Sequence, residues 1–328
     1  MQPGKNTVKV FVMTFDRPAM LARQLDSLLA QTVRPDEVTV LDNGTNPLTR
    51  ETVEARAAQG VRYVNTHDLG VRGNGIMSKR LCGRDGYVAF FHDDDMVSPR
   101  YFEHVLKVVD AHPGVALVVG NAIVRPVSEF AFPAESPHGR GLLLDGRDWA
   151  MLMFCCGACK YPFAFYRADL YSELDILGLY DSFGRVFDIP LLMRVVGSGG
   201  QAAFLTYPFC VYGLHPGQDS NDLQTLPPAF DMARLSGEFH RYMGDDLLTL
   251  AGFSYVFKCR RVLKSAYKRR CRKDVPYSEY LAFARRIGAL PRKALLFTGI
   301  SNHLTQQLVE KFVAWRFRRR ETAIDCAP

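Results

Sequence analysis

The sequence predicts an α/β fold, a mostly parallel sheet flanked by helices, with a helical and basic C-terminal region. Three observations carry this. Short apolar runs alternate with amphipathic helical stretches through residues 1–125, the rhythm of successive β-α-β units. The first run, Val8 to Phe15, is near-continuously apolar, as a strand covered on both faces is. Several end in polar or acidic residues, Thr14-Phe15-Asp16, Asp42-Asn43-Gly44 and Asp93-Asp94-Asp95, and in an open sheet such ends share one edge.

Val8 to Phe15 is the first strand and stops at Asp16-Arg17-Pro18. A helix follows, with Asp16 expected to cap it, Pro18 suited to its first turn, and Leu21, Leu25 and Leu28 along one face. Val38 to Leu41 is the second strand, and the turn Asp42-Asn43-Gly44 leaves the Asp42 carboxylate at its end. Val61 to Val64 is the third. Gly70, Gly73 and Gly75 predict a flexible loop before a short helix, and Tyr87 to Phe91 is the fourth strand. Pro99 opens the next helix, whose buried stripe is Tyr101, Phe102, Val105, Leu106 and Val109; Val115 to Val119 is the fifth strand. From residue 126 to 160 the pattern breaks at Pro126, Pro133 and Pro137.

With 328 residues, 48% of them apolar, the chain suits one large domain or a domain with an appendage. No apolar run reaches the ~18 residues of a membrane span. Met1-Gln2-Pro3-Gly4-Lys5 lacks a signal-peptide stretch, so the expected location is cytoplasmic. Among eight cysteines only Cys156 and Cys159 form a C-x-x-C, with no second pair to complete a zinc site. Beside Met151, Leu152, Met153 and Phe154 these thiols read as reduced packing residues.

The net charge of +7 hides an asymmetry. Residues 251–328 hold 18 Lys and Arg against 5 Asp and Glu, which leaves 23 against 29 for residues 1–250. An acidic body thus precedes a basic tail suited to a polyanion, nucleic acid or an anionic membrane. Leu304, Leu308, Phe312 and Trp315 make an apolar stripe at helical spacing beside Lys311, Arg316, Arg318, Arg319 and Arg320. That pattern fits an interfacial helix, and equally one that packs on the body.

Three adjacent carboxylates repel one another, and persist most easily beside a cation or in open water. Thr14, Asp16, Asp42, Asp68 and Asp93 to Asp95 should gather on the acidic edge and hold a cation. A dinucleotide site is disfavoured, because the first strand leads into Asp16-Arg17-Pro18 and not into G-x-G-x-x-G; a Walker G-x-x-x-x-G-K-[ST] is also absent.

The strand into Thr14-Phe15-Asp16-Arg17-Pro18, the helix with Leu25, Leu28, Leu29 and Gln31, the run Pro35 to Gly44 and the acidic triplet together resemble family 2 glycosyltransferases of the GT-A fold. The resemblance covers about residues 7–125 well and 157–220 more loosely. It implies a catalytic domain over 1–225, with a nucleotide-sugar-binding half at 1–125 and an acceptor half at 126–225, followed by the basic region at 226–328. It further implies an inverting transfer from a nucleotide-diphosphate sugar, a UDP-sugar favoured, to a glycan or lipid-linked acceptor in bacterial surface polysaccharide synthesis, with Mn²⁺ or Mg²⁺. Thr14, Asp16, Arg17, Asp42, Asp68, Asn74 and Asp93 match positions that line the donor site, Asp42 facing the nucleobase. Asp94, Asp95 and His215 match the metal-contacting positions. His92 stands where many relatives carry a first aspartate, so the metal pair among Asp93, Asp94 and Asp95 is left open with Asp94 preferred; His92 itself reads as a ligand or as a hydrogen-bonded strand-end histidine.

Phe183 to Arg194 resembles the family's catalytic-base segment, with Asp188 as the base. Phe187 replaces the usual acid before it, Asp181 is the second candidate, and Asp188 ahead of Pro190 also suits a helix N-cap. His215-Pro216-Gly217-Gln218 resembles the closing segment, where His215 meets metal or departing diphosphate and Gln218 covers the donor. Two other functions share some features. A nucleotidyltransferase should carry a glycine-rich basic loop after the first strand, and a nucleic-acid-binding module would explain the tail but leave the triplet without a purpose.

Overall fold

The structure, a computed structural model, describes residues 6–129, 140–156 and 163–218, with 235, 238, 241–242, 311, 314–320 and 322–323. The first four long strands form where the apolar runs stand. They are β1 (Val8–Thr14), β2 (Glu37–Asp42), β3 (Val61–Asn65) and β4 (Tyr87–His92), in the order β3-β2-β1-β4 and all parallel. Their register aligns Thr14 with Asp42, Asp42 with Asn65, and Met13 with His92. The polar carboxyl ends therefore lie side by side.

Beyond β4 the sheet becomes mixed. A two-residue strand β5 (Met96–Val97) precedes β6 (Val115–Pro126), β7 (Arg140–Leu144), β8 (Ala164–Arg167) and β9 (Gln201–Leu214). Strand β8 runs antiparallel between β4 and β6, β6 and β9 are parallel, and β7 is antiparallel to β9. Pro208 stands at a register shift in β9, as expected of a residue with no N–H to give the ladder. A last strand, β10 (Thr322–Ala323), pairs with β7, so the C-terminal segment returns to the sheet edge.

The sheet separates two apolar clusters. On one face Val8, Val10, Val12, Val38 and Val40 meet α1 (Pro18–Leu29), α2 (Pro47–Glu54) and α4 (Tyr101–Ala111). On the other, Phe11, Leu41, Val88 and Phe90 meet α5 (Gly146–Cys156), α6 (Ala168–Glu173), α7 (Ile176–Phe183) and α8 (Asp188–Gly197). Leu21, Leu25 and Leu28 of α1 are fully buried, each worth roughly 1.5–3 kcal/mol. In α4 the buried stripe is Tyr101, Phe102, Val105 and Val109 with His104 and Val108, while Leu106 is half-buried.

Two local expectations are corrected. Asp16 does not cap α1; Arg17 holds that position without a side-chain bond, and the Asp16 carboxylate turns to the loop after β2. The helix begins at Pro18, so Asp16 stands one residue before the cap position, with its backbone in the left-handed region at φ 53. The three glycines do not form a flexible loop. Gly73 and Gly75 lie inside α3 (Gly73–Leu81), and only Gly70 breaks the preceding turn, at φ 67. A Cβ on Gly73 would meet the Thr66 carbonyl oxygen at 2.4 Å and Asn43 Nδ2 at 2.8 Å, so glycine is selected by contact. Gly73→Ala is expected to destabilise the protein by about 1–3 kcal/mol, read as a lowered Tm in a melt.

Cys159 of the C-x-x-C and the stripe residues Leu304, Leu308 and Phe312 lie outside the described residues; Cys82 and Cys210 are free and buried. Among the described residues no helix is long and apolar enough to cross a membrane.

Candidate active site

Strands β1 and β4 end together, and their ends build the centre of the site. The Asp93 N–H donates to the Met13 carbonyl, continuing the ladder one residue past β4. This turns the Asp93 carboxylate toward β1. Thr14 Oγ1 donates to Asp93 Oδ2 at 2.6 Å, and the Phe15 N–H approaches the same oxygen at 3.4 Å. Arg17 adds Nε at 3.1 Å from Oδ2, and Nη2 lies 2.7 Å from Oδ1 as an ion contact without hydrogen-bond geometry. All three acidic side chains are buried.

The other half comes from the far end of the chain. β5 pairs antiparallel with β9, Met96 opposite Val211 and Val97 opposite Cys210. This stitches the turn after the triplet to residues 210–211 and brings Gly213 and His215 over it. The Gly213 N–H donates to Asp95 Oδ1 at 3.2 Å. His215 Nε2 lies 2.9 Å from Asp94 Oδ2 and 2.8 Å from Arg17 Nη1, which is 3.2 Å from the same Asp94 oxygen. The buried Gln218 side-chain amide donates to the Gly213 carbonyl and closes the turn.

The three carboxyls differ electrostatically. Burial pushes Asp93 up to about 6 against the pull of Arg17 and Thr14. Burial acts on Asp94 too, but His92, Arg17 and His215 outweigh it and hold the carboxyl below its ordinary value. Asp95 is driven well above the carboxylate range by burial and by the neighbouring Asp94. Asp95 Oδ2 is buried without a hydrogen-bond partner among the described residues, an arrangement that ordinarily costs about 1–3 kcal/mol. One ligand atom each from His92, Asp94 and Asp95 falls within 4.8 Å of the others. An ionised carboxylate and an orphaned carboxylate oxygen are donors that fit Mn²⁺ or Mg²⁺, and the nearby imidazoles suit a transition-metal ion better than Mg²⁺.

The donor-side residues split into two groups. Asp16 Oδ1 accepts the N–H groups of Thr45 and Asn46 at 2.8 and 2.7 Å, which folds the loop after β2 back over β1. Glycine suits position 44, because a Cβ would lie 2.8 Å from the Asp16 backbone nitrogen as well as 2.2 Å from its Oδ1. Asp42 is buried, taking the Gly44 N–H at 2.8 Å and the Tyr63 hydroxyl at 2.9 Å. Asn74 Oδ1 accepts from Thr66 Oγ1 at 2.6 Å, and Asn43 bridges Thr66 to Gly70. Asp68 lies exposed in the turn His67–Arg72. Thus Thr14, Arg17, Asp93, Asp94 and His215 form one bonded cluster, while Asp16, Asp42 and Asn74 brace the adjoining loops.

Asp188 stands on its own element. It is the first residue of α8 and is half-buried, and the groups that meet its carboxyl are the N–H groups of Ile189 and of Asp188 itself. Burial nevertheless pushes it up to about 6, a value at which a carboxylate is a useful base near neutral pH. Phe187 is the N-cap. Asp181 is exposed and tied to Arg72 at 2.5 Å, with the Arg72 guanidinium also over the Tyr180 ring. Sequence reasoning missed Tyr63 and Gly213; both partners are distant in the chain, and no local signal marks them.

The sequence profile described as Glycosyl transferase family 2 matches residues 9–174, which span β1 to α6 and include the acidic triplet. The chain belongs to that family. The chain is 34% identical over 116 residues to validoxylamine A glucosyltransferase of Streptomyces hygroscopicus subsp. limoneus, a match of 33% of this chain and 24% of that protein. It thus spans about a quarter of that curated relative. Its fold is that of solved glycosyltransferases. S. aureus TarS 1–349 in complex with UDP-GlcNAc superimposes with a TM-score of 0.57 at 14% identity, covering 95% of this chain and 92% of that one. The mannosyltransferase PcManGT of Pyrobaculum calidifontis, in complex with GDP-Man and Mn²⁺, gives 0.52 at 16% identity over 96% and 87%.

Proposed function

We propose that the transferase moves a sugar from a nucleotide-diphosphate sugar, a UDP-sugar foremost, to a hydroxyl of a glycan or lipid-linked acceptor, with inversion and with a divalent cation. The observation that carries this reading is the pairing, at the end of β4, of an ionised Asp94 with the orphaned buried Asp95 Oδ2. Solved structures of similar fold hold UDP-GlcNAc, UDP, or GDP-Man with Mn²⁺, which supports a nucleotide-sugar donor and a cation.

Asp94 and Asp95, with His215 or His92, would hold Mn²⁺ or Mg²⁺, which offsets charge developing on a diphosphate leaving group. Thr14, Arg17 and Asp93 border the same place, and the loop held by Asp16 and Asp42 forms the nucleoside side. Asp188 takes the proton of the acceptor hydroxyl as that oxygen attacks the anomeric carbon from the face opposite the leaving group. Acid chemistry at a strand edge and not a glycine-rich basic loop favours glycosyl over nucleotidyl transfer.

The reading extends to place. Residues 1–225 would form the catalytic unit and 226–328 the basic region, serving surface polysaccharide synthesis at the cytoplasmic face of a membrane. Trp315 is 49% exposed with the Arg319 guanidinium 4.2 Å from its ring centroid, and Lys311, Arg316 and Arg318 are exposed nearby in sequence, while buried Phe317 anchors the segment. Such a basic and aromatic surface suits anionic headgroups. The deciding experiment measures nucleoside diphosphate released from a panel of nucleotide sugars with Mn²⁺, with Mg²⁺ and with chelator. Cation-dependent release from one donor is expected, and silence across the panel together with no nucleotide binding would overturn the reading.

A further inference from the structure

Arg17 makes contacts that its own helix does not call for. It is the N-cap residue of α1 and makes no capping bond, and a cation at a helix N-terminus opposes the helix dipole. Its guanidinium instead spans the acidic cluster. Nε and Nη2 face the two oxygens of Asp93, and Nη1 reaches Asp94 Oδ2 and His215 Nε2. These last two atoms belong to the residues proposed above to hold the cation.

The arrangement is also internally incomplete. A guanidinium only donates, and a carboxylate only accepts. His215 Nε2, at 2.8 Å from one and 2.9 Å from the other, can accept from Arg17 or donate to Asp94, but not both at once. One contact therefore stays unmet while Arg17 occupies the cluster. The Arg17 side chain keeps 28% of its surface exposed, so the guanidinium has a route outward.

We propose that Arg17 holds the cation's place in the donor-free enzyme and couples cation binding to donor binding. The inference rests on the donor reading above. A divalent ion and Nη1 compete for Asp94 and His215, and like charges oppose joint occupancy. The diphosphate of an arriving donor offers the guanidinium a forked acceptor. Arg17 then passes from the carboxylates to phosphate oxygens, and the ion takes the atoms it leaves. Binding of either ligand thereby favours the other by the same factor.

Calorimetry of the chelator-stripped full chain tests this with Mn²⁺ alone and with Mn²⁺ in the presence of UDP or GDP. Arg17→Gln is expected to bind Mn²⁺ alone about tenfold more tightly than the unaltered chain, and the tightening caused by nucleotide should shrink by that same factor. Arg17→Lys keeps a charge beside Asp93, protecting the fold, but lacks the fork; it should move both quantities in the same direction. Mn²⁺ affinities at or below the unaltered value in both variants would overturn the proposal. So would a gain equal with and without nucleotide, which is the mark of a fixed field and not of an exchange. Nucleotide binding that persists with unchanged coupling defeats this proposal alone, whereas an unaltered chain that binds no nucleotide with Mn²⁺ defeats the donor reading as well.

Discussion

Asp188→Asn is expected to lower kcat by about 10²- to 10⁴-fold, the range for loss of a positioned general base, with little change in donor KM. The amide is nearly the same size and keeps a carbonyl oxygen for the N–H groups of the first turn of α8, so the helix should survive. What it loses is the capacity to accept the acceptor's proton. Because burial pushes Asp188 up to about 6, the base is protonated below that pH and free above it. Activity of the unaltered enzyme should thus rise with pH through a midpoint near 6. Residual turnover of Asp188→Asn should lack that limb, which separates Asp188 from Asp93, also held near 6. A variant that keeps both rate and limb would remove Asp188 from the chemistry and return attention to Asp181, whose ion pair with Arg72 suits it poorly to the task.

The second large effect concerns Asp94. Its carboxyl stays ionised where its neighbours are driven toward the neutral form, so it carries the most dependable negative charge in the cluster. Asp94→Ala, or chelator on the unaltered enzyme, is expected to cut turnover by about 10³-fold or more, the scale of a few kcal/mol of charge stabilisation. Donor hydrolysis with no acceptor present should fall in parallel, since the loss falls on the leaving group. Substantial chelator-resistant turnover would refute the cation's role, and normal turnover in Asp94→Ala would refute the assignment of Asp94.

The two sites differ in how visible they were before folding. Asp93, Asp94 and Asp95 advertise themselves, because three adjacent carboxylates after an apolar strand are costly without a purpose. Asp188 was visible only through resemblance, since one aspartate ahead of Ile-Pro is ordinary helix-start chemistry. The contrast holds for Asp16 too. Its spacing before Pro18 suggests a cap, yet its carboxylate binds the N–H groups of Thr45 and Asn46 some thirty positions on.

Strands β1 to β4, the helix faces of α1 and α4 and the acidic edge were legible because each follows from apolar periodicity and turn residues acting over a few neighbours. The antiparallel insertion of β8, the stitching of β5 to β9, and the return of β10 to β7 were not. Strands this short carry little pattern of their own and are held by partners far along the chain. The same is true of the cluster's inner order. That Arg17 spans Asp93 and Asp94, that His215 reaches one oxygen from 121 positions away, and that Asp94 alone of the triplet is held below its ordinary value are consequences of packing. Charge and hydrogen bonding depend on distance in space and on exclusion of water, and only the folded chain sets either.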